Sequence, residues 1–204
     1  MLDRYVRPLI DPPLNRLGRM IATAGISADF LTLLGLVMGL AAALAIALGH
    51  PVTGLALILV SRVLDGLDGA VARATRSSDL GGYLDIVADF AFYALVPLAF
   101  VVADPAANGL AGAALLAAFY LNGTAFLAHA ILAEKHRLTT SMNGQKSWYH
   151  VGGLLEGTET ILFFVLLCLL PKAFVPLASG FALLCLASTA GRVAVTVAQF
   201  RDQG

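Results

Sequence analysis

Long apolar runs separated by short polar or proline-marked breaks fill most of the chain. They fall at 31–49, 52–73, 81–103, 109–133, 152–170 and 174–198. Each is close to the ~20 residues a helix needs to cross a hydrocarbon layer. His50-Pro51, Asp104-Pro105 and Pro171-Lys172 mark tight turns between paired runs. The other connections, Arg73 to Leu80 and Glu134 to Val151, are more polar. Upstream, Leu17, Met20 and Ile21 lie opposite Arg16 and Arg19, so the stretch from Leu14 to Ala24 predicts a short amphipathic helix lying in the membrane interface. Pro8, Pro12 and Pro13 are expected to break the chain before it. The pattern predicts an all-α integral membrane fold of six transmembrane helices preceded by that interfacial helix. It forms one domain over 1–204, with 1–30 as a juxtamembrane segment and 31–200 as a six-helix bundle. The lead-in to the first run carries Arg4, Arg7, Arg16 and Arg19 over about thirty residues, too long for a cleavable signal.

Composition sharpens this reading. Of 204 residues 59% are hydrophobic and 13% charged, against about a quarter charged in a soluble domain, so too few polar groups exist to cover a soluble surface. Lys plus Arg number 13 and Asp plus Glu 13; without a basic excess to neutralise phosphates, nucleic acid is excluded as a partner. The bases are unevenly placed. The N-terminal arginines, Arg73, Arg76, Lys135, Arg137, Lys146 and Arg201 share one side, and Lys172 stands on the other. Both termini are therefore expected in the cytoplasm of a multi-pass inner-membrane protein. Cys168 and Cys185 lie within apolar runs and read as core fillers. Gly35 and Gly39 form a GxxxG step suited to close helix packing. The Asn122-Gly123-Thr124 sequon falls inside a span and is set aside, and His129 reads as a helix–helix hydrogen-bond partner. No internal repeat of the transporter kind is visible.

The chemistry is concentrated in Asp65-Gly-Leu-Asp68-Gly69-Ala-Val-Ala72-Arg73 and in Gly81-Gly82-Tyr-Leu-Asp85-Ile-Val-Ala-Asp89. Four aspartates in apolar helices each cost about 2.5–3.5 kcal/mol at a helix centre, which marks them as functional. At roughly 100° per residue, Asp65, Asp68, Gly69 and Ala72 share one face of the second span, and Gly81, Asp85 and Asp89 one face of the third. The short connector makes these helices antiparallel neighbours whose acidic faces can meet. Four carboxylates together need a cation. Oxygen donors suit Mg²⁺ or Mn²⁺, and two such ions balance four charges and can clamp a diphosphate. Small residues (Gly69, Ala72, Gly81, Gly82) leave room for a ligand, and Arg73 is placed for phosphate or a nucleotide. Arg62, Arg73 and Arg76 are the basic neighbours, and Asp79 is expected to cap the third span.

At these residues the chain resembles the CDP-alcohol phosphotransferase family, whose signature reads D-x2-D-G-x2-A-R-x8-G-x3-D-x3-D. Asp65, Asp68, Gly69, Ala72, Arg73, Gly81, Asp85 and Asp89 fill every fixed position, with seven residues rather than eight between Arg73 and Gly81. Ser27-Ala28-Asp29-Phe30-Leu31-Thr32 is similar to the family's segment before the first span, with Ala28 in place of the usual proline. Asp29 and Thr32 then read either as contacts to the cytidine end of a donor or as caps of the first helix. The C-terminal half, through Lys146-Ser-Trp-Tyr and Glu156-Gly-Thr-Glu159-Thr, resembles the uncharacterised bacterial inner-membrane branch of the family. The resemblance implies a membrane enzyme of phospholipid synthesis that transfers a phosphatidyl group from CDP-diacylglycerol to a hydroxyl of a small polar acceptor and releases CMP. It implies two Mg²⁺ or Mn²⁺ ions on Asp65, Asp68, Asp85 and Asp89, with Asp89 as general base and Gly69, Ala72 and Arg73 lining the CDP site. It also implies a homodimer and an active site near the cytoplasmic face.

The acceptor stays open. Lys135, Arg137, Lys146 and Arg192 suit a phosphorylated acceptor, whereas Glu156 and Glu159, with Trp148 and Tyr149, suit a cationic or hydroxylated head group. Basic loops and interfacial aromatics also follow from topology alone. Two other readings compete: a transferase using a different CDP-alcohol donor with a lipid acceptor, and a divalent-cation transporter.

Overall fold

The computed structural model describes residues 2–136, 155 and 157–201, and the regular elements among them are helices. In chain order these are α1 (Asp3–Thr23), α2 (Ala28–Ala47), α3 (Pro51–Ala74), α4 (Asp79–Ala103), α5 (Pro105–Lys135), α6 (Gly157–Leu169) and α7 (Phe174–Phe200). A 3-10 turn, Pro171–Ala173, joins the last two.

Breaks occur where the sequence places them. Pro51 and Pro105 occupy the first turns of α3 and α5, where a missing N–H costs no helical hydrogen bond. Gly49, at φ 83°, turns the chain out of α2. Ser27 caps α2 by accepting the Phe30 N–H at 3.3 Å. Asp104 ends α4 and caps α5 by accepting from Ala107 N at 3.0 Å.

Two expectations are corrected. Helix α1 starts at Asp3 rather than Leu14 and runs through Pro8, Pro12 and Pro13. Its C-terminal half packs as expected, Leu14, Ile21 and Ala22 lying on Leu31, Leu67 and Val71, and its start is tied to a distant helix, so tertiary contacts at both ends accompany a helix that local propensity disfavours. The Leu2 N–H ahead of it donates to Glu159 Oε1 at 2.7 Å. The second correction concerns α4. Its cap is Ser78, whose Oγ accepts the Gly81 N–H at 2.9 Å, while Asp79 is already the first helical residue. A cap must have extended backbone to reach that amide, which Ser78 has; Asp79 instead places charge near the positive end of the helix.

The contacts fix helix directions. Thr32 meets Asp68, Ser61 reaches Gly35, and Gly54 lies against Ile46, so α2 and α3 are antiparallel. Asp29 faces Gly81 and Gly39 faces Phe92, so α2 and α4 are parallel. Gly112 against Val101 and Gly123 against Phe90 set α5 antiparallel to α4. Helices α5 and α7 run parallel along a polar seam: Thr189 donates to Asn122 Oδ1 at 3.4 Å, and His129 Nδ1 lies 2.9 Å from Thr196 Oγ1, one heptad further along both helices. The expected interhelical role of His129 is met there.

An aromatic core fills the middle. Phe163 stacks on Phe181 with centroids 4.0 Å apart, and Phe164 meets Phe92 edge-on at 5.6 Å. Cys168 and Cys185 are buried in it and unbonded, as expected. Among the described residues, four helical segments are long and apolar enough to cross a membrane: α2, α4, α5 and Pro171–Phe200. Helix α6 has 13 residues, and α3 carries Arg62 at its middle and Asp65, Asp68 and Arg73 in its C-terminal half.

Candidate functional site

The last turns of α3 and the first turns of α4 lie at one end of the bundle, together with the start of α2. One carboxylate oxygen from each of Asp65, Asp68 and Asp85 lies within 4.8 Å of the other two. Asp68 is deepest, 5% exposed, and Thr32 Oγ1 donates to its Oδ2 at 2.6 Å. Asp89, one turn beyond Asp85, is turned to a different partner: Arg62 Nη1 donates to its Oδ1 at 2.6 Å. The same nitrogen is 3.3 Å from Asp65 Oδ1. The side chains of Asp65 and Asp89 remain 31% and 30% exposed, open enough for a ligand to reach them.

The GxxxG step on α2 makes this assembly possible. A Cβ on Gly39 would lie 3.0 Å from Phe92 Cδ2 and 3.4 Å from Ser61 Oγ. With no side chain there, Ser61 Oγ donates to the Gly35 carbonyl at 2.8 Å and accepts from Arg62 Nη2 at 3.3 Å. Phe92 lies under the guanidinium, its ring centroid 4.0 Å from Arg62 Cζ. The close packing read from Gly35 and Gly39 therefore seats the arginine beside the acids.

Of the residues assigned to a CDP moiety, Gly69, Ala72 and Arg73 line the outer end of α3. Arg73 is held by α1, its Nε and Nη2 donating to Asn15 Oδ1 at 3.2 and 2.9 Å. A Cβ on Gly69 would lie 3.2 Å from Arg73 Nη1. Asp29 overhangs the start of α4, where a Cβ on Gly81 would be 2.9 Å from its Oδ1 and would push that carboxylate aside. Ser27 caps α2, and Thr32 is bonded to Asp68 while Asp29 lies over Gly81.

A divalent cation fits this donor set. Three carboxylates from two helices converge through oxygen, hard ligands that suit Mg²⁺ or Mn²⁺ rather than a thiolate-bound metal. A single guanidinium opposes four acids, so the cluster keeps a net negative charge that a cation relieves.

Residues considered for an acceptor divide. Lys135 ends α5 at this end of the bundle. Arg192 lies over Phe126, 5.2 Å from the ring centroid, beside the α5–α7 seam. Glu159 accepts the Leu2 N–H and so ties α6 to the start of α1. Arg137, Lys146, Trp148, Tyr149 and Glu156 lie outside the described residues. Sequence reasoning missed the roles of Arg62, Ser61 and Asn15. For Arg62 a signal existed, since an arginine three residues before Asp65 in an apolar helix is as costly as the acids themselves.

Comparison with known proteins points the same way. The CDP-alcohol phosphatidyltransferase family matches residues 26–198. The inner membrane protein YnjF of Escherichia coli is 49% identical over 193 residues, covering 95% of this chain and 94% of YnjF. An archaetidylinositol phosphate synthase of Pyrococcus horikoshii is 38% identical over 85 residues, covering 41% of this chain and 45% of that protein. Among solved structures, phosphatidylinositol phosphate synthase PgsA1 of Mycobacterium tuberculosis with CDP-DAG bound shares the fold. Its TM-score is 0.66 at 18% identity, covering 90% of this chain and 93% of that one. The same enzyme with manganese and citrate gives a TM-score of 0.58 at 19% identity, covering 92% and 87%.

Proposed function

The chain belongs to the CDP-alcohol phosphatidyltransferase family, and from that premise we propose that it transfers a phosphatidyl group from CDP-diacylglycerol to a hydroxyl of a small polar acceptor. The observation that carries this reading is the convergence of Asp65, Asp68 and Asp85, with Asp89 beside them. Asp65, Asp68 and Asp85 would hold the divalent metal, with Asp89 at the edge of a second ion site. Bound there, Mg²⁺ or Mn²⁺ would neutralise the donor's diphosphate and polarise its phosphorus.

The chain's own residues do the rest. Asp89, through the oxygen that Arg62 does not hold, accepts the proton of the acceptor hydroxyl. The acceptor oxygen bonds to the phosphorus that carries the lipid, and the bond from that phosphorus to the CMP oxygen breaks. CMP leaves with the electron pair. Arg73, Gly69, Ala72, Asp29 and Thr32 bind the CDP end, the first by charge and the glycine and alanine by leaving room.

We extend the reading to topology. Helices α2 to α7 each span, α1 lies in the interface, both termini are cytoplasmic, and the site opens near the cytoplasmic face. Helix alternation and the crowding of bases at the site's end support this. The family resemblance adds a homodimer. For the acceptor, a phosphorylated polyol comes first: Lys135 and Arg192 are cationic, and two relatives are archaetidylinositol phosphate synthases.

The test is CMP release from CDP-diacylglycerol by the purified protein with glycerol phosphate, inositol phosphate, inositol, serine or choline. One acceptor should support turnover, EDTA should abolish it, and Mg²⁺ or Mn²⁺ should restore it. Asp85→Ala should lower the rate at least about a hundredfold, in the range lost when a group stabilising developing charge is removed. Full activity in that variant or in the metal-free protein would sink the mechanism.

A further inference from the structure

Tyr93 packs against the edge of the aromatic core, among phenylalanines. Its ring centroid lies 5.8 Å from that of Phe92, 6.3 Å from Phe164 and 6.5 Å from Phe119. Packing alone asks only for the ring. A hydroxyl at such an edge needs polar surroundings, and its direction shows where they are.

Tyr93 stands one turn past Asp89, on the face of α4 that carries Gly81, Asp85 and Asp89. Long side chains on a helix lean back toward its N-terminus, which in α4 is the acidic end. The Tyr93 hydroxyl reaches the first residue of α6, where a Cβ on Gly157 would lie 3.7 Å from the hydroxyl oxygen. Among the described residues that oxygen is the one atom such a Cβ would meet within 4 Å, so Gly157 leaves room beside it.

Contacts across the bundle place a second hydroxyl at the same depth. Gly123 of α5 lies against Phe90, next to Asp89, and Asn122 accepts from Thr189 of α7. Ser188, beside Thr189, is therefore level with Asp89. It continues the buried face of Phe181 and Cys185 and is 2% exposed. Its Oγ has no hydrogen-bond partner among the described residues, a costly state for a buried hydroxyl that a ligand group would relieve. The interior thus turns from phenylalanine in its middle to hydroxyl groups at the depth of the acids.

We propose that Tyr93 is a specificity-determining residue for the acceptor: its hydroxyl bonds one hydroxyl of a polyhydroxylated acceptor while another hydroxyl of the same molecule reacts beside Asp89. The inference rests on the transferase reading and deepens it by tying acceptor choice to a named group. One turn of helix separates the two residues by about 6 Å along the axis, a span that a polyol bridges and a single-hydroxyl acceptor does not. A phenolic hydroxyl both donates and accepts, as an alcohol does, and it is uncharged, so it reads hydroxyl groups and leaves a phosphate to the cations. A site built this way discriminates against analogues that lack the bonded hydroxyl.

The test compares inositol phosphate with 2-hydroxyethyl phosphate, which has one hydroxyl and the same kind of charge, as acceptors for the full-length protein in detergent. Tyr93→Phe keeps the ring and its contacts. It should raise KM for inositol phosphate about three- to tenfold, the scale of one lost neutral hydrogen bond. KM for 2-hydroxyethyl phosphate and for CDP-diacylglycerol should stay at the wild-type values. Gly157→Ala, which puts a methyl into the room beside the hydroxyl, should raise the same acceptor KM.

An unchanged KM for inositol phosphate in Tyr93→Phe, or equal losses on the two acceptors, would overturn the proposal, as would a wild type that turns over only single-hydroxyl acceptors. If Tyr93→Phe does not fold, Gly157→Ala decides, and a wild-type acceptor KM there overturns it. Absence of CMP release from the wild-type protein with every acceptor would sink the transferase reading instead. Thermal stabilisation by inositol phosphate, which needs no turnover, then judges Tyr93: a shift smaller in Tyr93→Phe than in wild type supports the contact, and equal or absent shifts overturn it.

Discussion

Thr32 shows how little of a site's chemistry resides in the groups that carry charge. Its hydroxyl has two acceptors, the Ala28 carbonyl at 3.2 Å and Asp68 Oδ2 at 2.6 Å. The shorter contact ties the most buried of the clustered acids to α2. Valine has the same shape and no donor. Thr32→Val should therefore remove the side-chain hydrogen bond to Asp68 and loosen it, weakening Mn²⁺ binding about tenfold or more, the usual effect of deleting a partner behind a metal ligand. Thr32→Ser should stay near wild type. Equal Mn²⁺ affinity in all three proteins would show that Asp68 is held by packing alone. The sequence brought Thr32 to attention only through family resemblance and left its capping role open. What decided the matter was Ser27, one turn earlier, which took the cap in its extended backbone and left the threonine for the acid.

At the scale of elements, helix α1 approaches the backbone of α3 closely at Gly18. A Cβ on Gly18 would sit 2.6 Å from Ala70 Cβ and 2.8 Å from the Ala70 carbonyl carbon. The second of those atoms belongs to the backbone and cannot rotate away. Gly18→Ala should push α1 off α3, cost about 1–3 kcal/mol as overpacking does, and carry Asn15 away from Arg73. Donor KM should then rise several-fold, and Asn15→Leu should reproduce the KM effect without the loss of thermal stability. Gly180 in α7 makes the contrast, since a Cβ there meets nothing within 4 Å. Gly180→Ala should raise the unfolding midpoint, by up to about 1 kcal/mol in helix propensity. Unfolding followed by tryptophan fluorescence or light scattering would show opposite signs for the two alanines, and a rise with Gly18→Ala would contradict the packing. Element boundaries were largely legible, because proline, glycine and serine at the ends of apolar runs act locally. The six runs agree with α2 to α7 to within a few residues at most ends. The start of α1 was not legible. Three prolines argue against a helix on local grounds, and the contact that ties its start to Glu159, 157 residues away in the chain, is of a kind no local pattern reveals. Likewise the convergence of Asp65, Asp68 and Asp85 followed from helical periodicity, whereas the pairing of Asp89 with Arg62 depends on Phe92 and Ser61 from neighbouring turns.

For the whole molecule, the basic residues expected to orient the chain also surround the acidic end. Arg73 and Arg76 leave α3 beside the acids, Lys135 closes α5 and Arg201 follows α7, while Lys172 lies between α6 and α7 at the other end. A CDP-linked donor carries its diphosphate into a cluster of carboxylates, an approach that repulsion would oppose if the surrounding field were also negative. Placing the bases at that end lowers the barrier to entry, so one distribution of charge serves insertion and catalysis together. This makes orientation a functional prediction. Ser77 lies in the exposed turn between α3 and α4, and Lys172 in the exposed turn at the opposite end. Cys168 and Cys185 are each 1% exposed and contribute no background to thiol labelling. Lys172→Cys should react with a membrane-impermeant maleimide in intact cells, and Ser77→Cys only after the inner membrane is opened. The reverse pattern would turn the site outward, away from a nucleotide donor confined to the cytoplasm, and would leave the bases at that end against the rule that sets topology. Labelling of both in intact cells would mean that one of the three helices between the two positions, α4, α5 and α6, does not cross, the 13-residue α6 being the shortest of them.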